Sequence, residues 1–211
     1  MKKNIAIILL ILFSSLLNYQ NSYAQWSYAG PDGGFISNIE AAGEDIYAIS
    51  GRLWFTGQGI YKSTDNGYTW EFIYSDVPSD VRALIVKDSM LFIGTGSGIY
   101  RSEDGGLTWI QKNTGFPSEK WINHLVVCGN VIFAAGTSNG MMTSKDNGEH
   151  WTPSVNGLTD TYIYSLTASE NMVFAGTGDQ MQGVFRSDDF GLSWQQMVNG
   201  MAYYQEGNWL P

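Results

Sequence analysis

All-β, as a β-propeller of four-stranded antiparallel blades, is the fold class predicted by three features of this sequence. The first is an eight-residue phrase, Ser-x-Asp-x-Gly-x-Thr-Trp, written four times with its serines 39, 42 and 43 residues apart. That period suits one four-stranded blade per copy. The second is a set of short runs of β-branched and aromatic residues around each copy, broken by Gly, Asn, Asp and Ser, as in meandering strands. The third is composition: 25 Gly, 8 Trp and 12 Tyr stand against 11 Lys and Arg, which suits tight turns and broad packed faces. No window carries a sustained helical period.

At the front, Lys2 and Lys3 precede an apolar run from Ile5 to Leu17, and a polar stretch ends in Ser22-Tyr23-Ala24. Residues 1–24 therefore read as a secretory signal peptide cut between Ala24 and Gln25. The apolar run of 13 residues is short for a membrane span. The alternative is an uncleaved N-terminal anchor. The expected location is periplasmic or extracellular, with no membrane insertion after cleavage. A net charge of −9 argues against nucleic acid or an anionic membrane surface as partner. Cys128 is the single cysteine, so no internal disulfide is expected, and its apolar surroundings make it a small core residue.

The propeller segment is read as 25–211, with blades over 36–73, 81–112, 122–154 and 163–197. Blade one supplies strands at Ile36–Ala41, Asp45–Ile49, Gly59–Ser63 and Thr69–Ile73. Those of blade two are Val81–Val86, Met90–Thr95, Gly98–Ser102 and Thr108–Gln111. Blade three offers Ile122–Val127, Val131–Gly136, Gly140–Ser144 and His150–Pro153, and blade four Ile163–Ala168, Met172–Thr177, Gly183–Ser187 and Ser193–Met197. The second strands share an aromatic in Leu91-Phe92-Ile93-Gly94, Ile132-Phe133-Ala134-Ala135-Gly136 and Val173-Phe174-Ala175-Gly176. Residues 198–211 begin a further, incomplete blade, since Val198-Asn199-Gly200 repeats Val155-Asn156-Gly157.

Physically the eight-residue phrase is a stapled hairpin between third and fourth strands. Its Asp accepts backbone N–H groups of its own loop, its Gly supplies a positive φ, and its hydroxyls close the loop edges. Its Trp packs between blades. The four copies are Ser63, Asp65, Gly67, Trp70; Ser102, Asp104, Gly106, Trp109; Ser144, Asp146, Gly148, Trp151; and Ser187, Asp189, Gly191, Trp194. His150 and Ser193 replace the phrase Thr in the last two.

These phrases resemble Asp-box, or BNR, repeats, found in sialidase, sortilin, xyloglucanase and photosystem assembly factor propellers, over residues 36–197. The resemblance implies that Asp65, Asp104, Asp146 and Asp189 are structural, at the blade periphery and away from the binding face. It also implies more blades than four, so that this chain is part of a larger propeller. A closed four-blade ring is the competing expectation, and an open array would invite self-association or completion by further blades.

In an up-and-down blade, the second–third loops and the blade connections lie opposite these hairpins. Candidate ligand-face residues there are Arg52, Trp54, Lys120, Trp121, Tyr162 and Asp179. Loop 51–56 is an insertion in blade one, and 179–181 adds about three residues in blade four. A sialidase-like enzyme would need three clamping arginines and an Arg-Ile-Pro phrase. The mature chain has only Arg52, Arg82, Arg101 and Arg186 and lacks that phrase. A xyloglucanase-like enzyme needs two placed carboxylates, for which Asp32, Asp80, Asp160 and Asp179 are available. His124 reads as a core residue, and no Cys/His/Asp cluster has metal-ligand spacing. The expectation is a secreted binding or scaffold module for a protein, peptide or glycan, without catalytic, cofactor or metal residues. A glycoside hydrolase, intact or as an inactive fragment, is the alternative.

Overall fold

The structure, a computed structural model, describes residues 36–50, 59–73, 80–118, 120–136, 140–178 and 183–197, and the backbone of 203–205 and 208–210. Four antiparallel four-stranded sheets follow one another along the chain. Blade one is β1 (Ile36–Ala42), β2 (Asp45–Ser50), β3 (Gly59–Ser63) and β4 (Glu71–Phe72). Blade two is β5 (Val81–Lys87), β6 (Met90–Thr95), β7 (Gly98–Ser102) and β8 (Ile110–Gln111). Blade three is β9 (His124–Cys128), β10 (Val131–Ala135), β11 (Met141–Ser144) and β12 (Thr152–Pro153). Blade four is β13 (Ile163–Ser169), β14 (Met172–Thr177), β15 (Val184–Ser187) and β16 (Gln195–Met197). Strands β17 (Tyr203–Gln205) and β18 (Asn208–Leu210) form a two-stranded sheet.

The fourth strands are shorter than their sequence suggests, and the reason is where their N–H groups go. Thr69, Thr108, His150 and Ser193 donate theirs to the hairpin Asp. Trp151 and Trp194 donate theirs to the preceding blade, at Thr114 O and Asn156 O. β9 likewise starts late, because Ile122 N–H bonds to Thr95 O of blade two. A residue whose donor is committed elsewhere cannot join the ladder.

Alternation of side chains across each strand assembles the core as three seams between consecutive blades. Blade two sends Val81, Leu84, Leu91 and Ile93 toward Tyr47, Ile49 and Ile60 of blade one. Its other face sends Ala83, Ile85, Phe92 and Ile99 toward Ile122, Leu125, Ile132, Ala134, Met142 and Trp151 of blade three. The other side of blade three meets blade four through Cys128, Val131, Phe133, Ala135, Met141, Leu158, Ile163, Val173, Ala175, Phe185 and Trp194. Cys128 is thus a core residue; burial raises its thiol pKa. Inner strand β1 lies beside β5, β5 beside β9 and β9 beside β13, while no comparable contact joins β13 back to β1.

Each blade's exit loop is tied to the next blade's hairpin. Gly115 has φ +96, and a Cβ there would lie 2.1 Å from Trp151 O; at Gly157, φ +81, it would lie 2.2 Å from Trp194 O. Gly115→Ala is therefore expected to destabilise the fold by at least about 2 kcal/mol, left-handed strain and steric conflict adding. Gly105→Ala, at φ +74 with nothing within 4 Å of the added Cβ, should cost about 1 kcal/mol. Urea denaturation of both variants checks the difference.

Candidate functional site

The two faces of the array differ in chemistry. On the first lie the four repeated hairpins, built to one plan. The serine hydroxyl donates to the Asp at 2.7–2.8 Å and accepts the Gly N–H at 2.8 Å in every copy. The second Asp oxygen accepts Thr69 Oγ1 at 2.6 Å, Thr108 Oγ1 at 2.5 Å and Ser193 Oγ at 2.6 Å. In the third copy it meets His150 Nδ1 at 2.8 Å, so the imidazole reproduces the hydroxyl's bond. Every lone pair engaged this way favours the carboxylate. Asp104 is held at about 2, chiefly by the Thr108 hydroxyl and N–H. In Asp146 burial works the other way, yet the N–H and ring of His150 still bring it to about 2. Asp65 and Asp189 are lowered in the same way, by Thr69 and Ser193 first.

Two details of the hairpin are not visible in the phrase. The residue before each Gly is also left-handed: Asn66 at φ 59, Gly105 at 74, Asn147 at 55 and Phe190 at 57. Asn and Gly accept that conformation readily, whereas Phe190 holds it against its own sterics. The four tryptophans also differ. Trp151 and Trp194 are buried and donate their indole N–H to Lys112 O and Ser154 O of the preceding blade. Trp70 and Trp109 are half-buried and donate to Gly67 O and Gly106 O of their own hairpins.

The opposite face carries a polar and aromatic constellation at the starts of the inner strands. Arg82 donates through Nε and Nη2 to Asp80 Oδ2, at 2.9 and 2.6 Å, and through Nη1 to Asn123 Oδ1 at 2.9 Å. Its guanidinium carbon lies 4.4 Å from the centre of the Trp121 ring, a cation–π stack. Trp121 nonetheless remains 48 % exposed. A stacked and hydrogen-bonded guanidinium holds the indole in place and leaves ring surface open, which makes an aromatic platform.

The structure brings Trp121 together with Arg82, Asp80 and Asn123, which span blades two and three. Lys120 precedes Trp121 and donates to Ser118 O at 3.4 Å. Tyr162 stands at the same point of blade four, exposed, with its N–H on Asp160 Oδ1 at 2.9 Å. Arg52, Trp54 and Asp179 lie outside the described residues. Arg82 and Asn123 were not singled out by the sequence reading. Their signal is the repeated start of the inner strand, Asp80-Val81-Arg82, Trp121-Ile122-Asn123 and Tyr162-Ile163-Tyr164, where bulges in β5 and β13 fall at the first residues. Bulges at such places re-aim side chains.

Asp160 is 3 % exposed and its Oδ2 has no hydrogen-bond partner among the described residues. His124, on inner strand β9, has its pKa lowered by burial, against a bond to the Tyr164 backbone that raises it. No group of three His, Cys, Asp or Glu among the described residues could hold a metal ion.

No family model and no curated protein matches the chain. Among solved structures it is similar to the extracellular domain of a one-component system from B. thetaiotaomicron, with 19% identity and a TM-score of 0.64 over 88% of this chain and 25% of that one. It is similar to a GH74 xyloglucanase from Xanthomonas campestris, with 16% identity and a TM-score of 0.62 over 81% of this chain and 31% of that one. YCF48, solved bound to D1 peptide, gives 20% identity and a TM-score of 0.57 over 85% of this chain and 58% of that one. The chain thus spans a minor to moderate part of these proteins. At such identities the likeness concerns the fold, a β-propeller.

The hairpin carboxylates set an acid limit on stability. Each has a folded pKa below its unfolded value, so its contribution is complete above the ordinary 3.8 and is lost as pH falls through about 2 for Asp104 and Asp146. The urea midpoint is expected to fall between pH 4 and pH 2, and less so in Asp146→Asn. Separately, Ser144→Ala removes the acceptor of the buried Gly148 N–H. It should cost about 1–3 kcal/mol at pH 7.

Proposed function

We propose that this chain is a secreted binding or scaffold module, an Asp-box propeller that recognises a peptide, protein or glycan on the face opposite its hairpins. The observation that carries this reading is Trp121, half exposed yet held by a guanidinium that Asp80 and Asn123 fix in turn. Large aromatics that stay exposed on a rigid mount are characteristic anchors of recognition surfaces. Tyr162 and Tyr164 extend exposed aromatic surface into blade four. The hairpin residues around Asp65, Asp104, Asp146 and Asp189 act in stability alone on this reading. A peptide-bound propeller and the extracellular domain of a one-component system among the similar folds fit it. Residues 1–24 would direct export on this reading; among the described residues no helix is long and apolar enough to cross a membrane.

A glycoside hydrolase, whole or as a remnant, is the second reading. It draws on the GH74 neighbour and on Asp160, whose buried Oδ2, without a partner among the described residues, is the kind of group an acid catalyst presents. Against it, Asp80, the carboxylate nearest the platform, is engaged by Arg82.

Peptide and glycan arrays, followed by titration of the best binder, test the proposal. Trp121→Ala is expected to weaken binding at least about tenfold with an unchanged melting temperature, as for an interface anchor. Hydrolysis of xyloglucan or a sialoside that disappears in Asp160→Asn would establish the second reading instead.

A further inference from the structure

We infer that the outer sides of blades one and four are the two halves of one seam, and that a second copy of this chain joins them head to tail. The three internal seams define what each half looks like. Facing the preceding blade, blades two, three and four each present an inner-strand leucine, Leu84, Leu125 and Leu166, paired with Ile93, Ala134 and Ala175. Leu84 and Leu125 are 2 % and 7 % exposed, and Leu166 packs against the third cluster. Ile39, paired with Ala48, holds the same place in blade one and is 63 % exposed. Leu91, Ile132 and Val173 are buried beside the preceding blade, while their counterpart Ile46 is only half-buried.

The forward half is complementary. Tyr47, Phe92 and Phe133 are buried under the following blade, and the matching Phe174 of blade four is half-buried. Ile60, Ile99 and Met141 are fully buried there, whereas Val184 is half-buried. The fit is specific. A Cβ at Gly148 would lie 3.3 Å from the Phe92 ring, and one at Gly191 would lie 2.7 Å from the Phe133 ring, so in blades three and four the hairpin glycine rides on the preceding aromatic, while Gly106 rides on Ile73 of blade one, 2.9 Å from its added Cβ. At Gly67 the added Cβ meets nothing nearer than 3.9 Å. Blade one thus offers a glycine without an aromatic, and blade four an aromatic without a glycine.

Polar groups repeat the match. Arg101 of blade two donates to Asn147 O of the next hairpin at 2.7 Å. Arg186 is its counterpart in blade four, pairing with Phe174 as Arg101 does with Phe92, and its nearest bonded group is Asp188 of its own loop. Asn66 occupies in the first hairpin the place of Asn147, left-handed like it. A second copy therefore sets Phe174 under Gly67, Val184 against Ile39 and Ile46, and Arg186 on the Asn66 carbonyl. Because each copy carries both halves, two such seams close a two-copy ring.

Sedimentation velocity and light scattering on the purified chain over a range of concentrations test this. The expected mass is twice that of one chain. Ile39→Asp and Phe174→Asp should each raise the dissociation constant about 30-fold or more, as loss of an interface anchor does. An equimolar mixture of the two should recover association, since one seam between them stays intact. A monomer at every concentration, with blade four covered by residues of its own chain, overturns the proposal. So does association that Ile39→Asp leaves unchanged. Should Phe174→Asp disturb the blade itself, Ile39→Asp at its exposed site decides alone.

Discussion

The contact on which the fold depends is that of a hairpin glycine with an apolar side chain of the blade before it: Ile73 for Gly106, Phe92 for Gly148 and Phe133 for Gly191. A side chain at Gly191 would collide with Phe133 and with Ser154 Oγ, each 2.7 Å from its Cβ. Only a glycine lets the loop settle low enough for Trp194 to stand edge-on to Phe133, with ring centres 6.3 Å apart. From that position the Trp194 N–H and indole N–H both reach carbonyls of blade three. Burial of apolar surface at roughly 25 cal/mol per Å² is spent mostly in these seams, because the fourth strands are exposed and two or three residues long. The serine–aspartate staple spans the seam's edge, its serine hydroxyls buried and its carboxylates half-buried or exposed. Its job is to hold the glycine where the seam needs it.

How much of this could be read from the chain follows from how far apart the partners lie. The hairpin was legible because Ser63, Asp65, Gly67 and Thr69 bond within a single loop, so local chemistry and a repeated phrase suffice. Strand order was legible for the same reason, since each blade pairs its strands in sequence. The lengths of the fourth strands were not, because they depend on N–H groups of Trp151 and Trp194 captured about forty residues away. Phe190 was illegible as a left-handed residue because its φ is imposed by the loop and not by its own preference.

The platform on the opposite face shows the same limit more sharply. Arg82 and Asn123 are 41 residues apart, and neither sits in a recognisable phrase. Trp121 was legible as an exposed aromatic on a connection, but not the stacked guanidinium behind it. A count of arginines treats Arg82 as a candidate clamp for an anionic ligand. Three of its N–H donors are already given to Asp80 and Asn123, and its face supports the Trp121 indole.

That division of labour explains why the conspicuous residues of this chain say little about its ligand. The hairpins face one way and satisfy nearly every polar atom they contain, which makes them poor recognition elements and good spacers. Inner-strand starts face the other way and differ from blade to blade: Asp80 and Arg82, then Trp121 and Asn123, then Tyr162 and Tyr164. A repeat that holds blades in register through one face frees the other to vary without loss of stability. Specificity in such an array resides in the positions that do not repeat. On the binding reading proposed for this chain, those positions converge on Trp121.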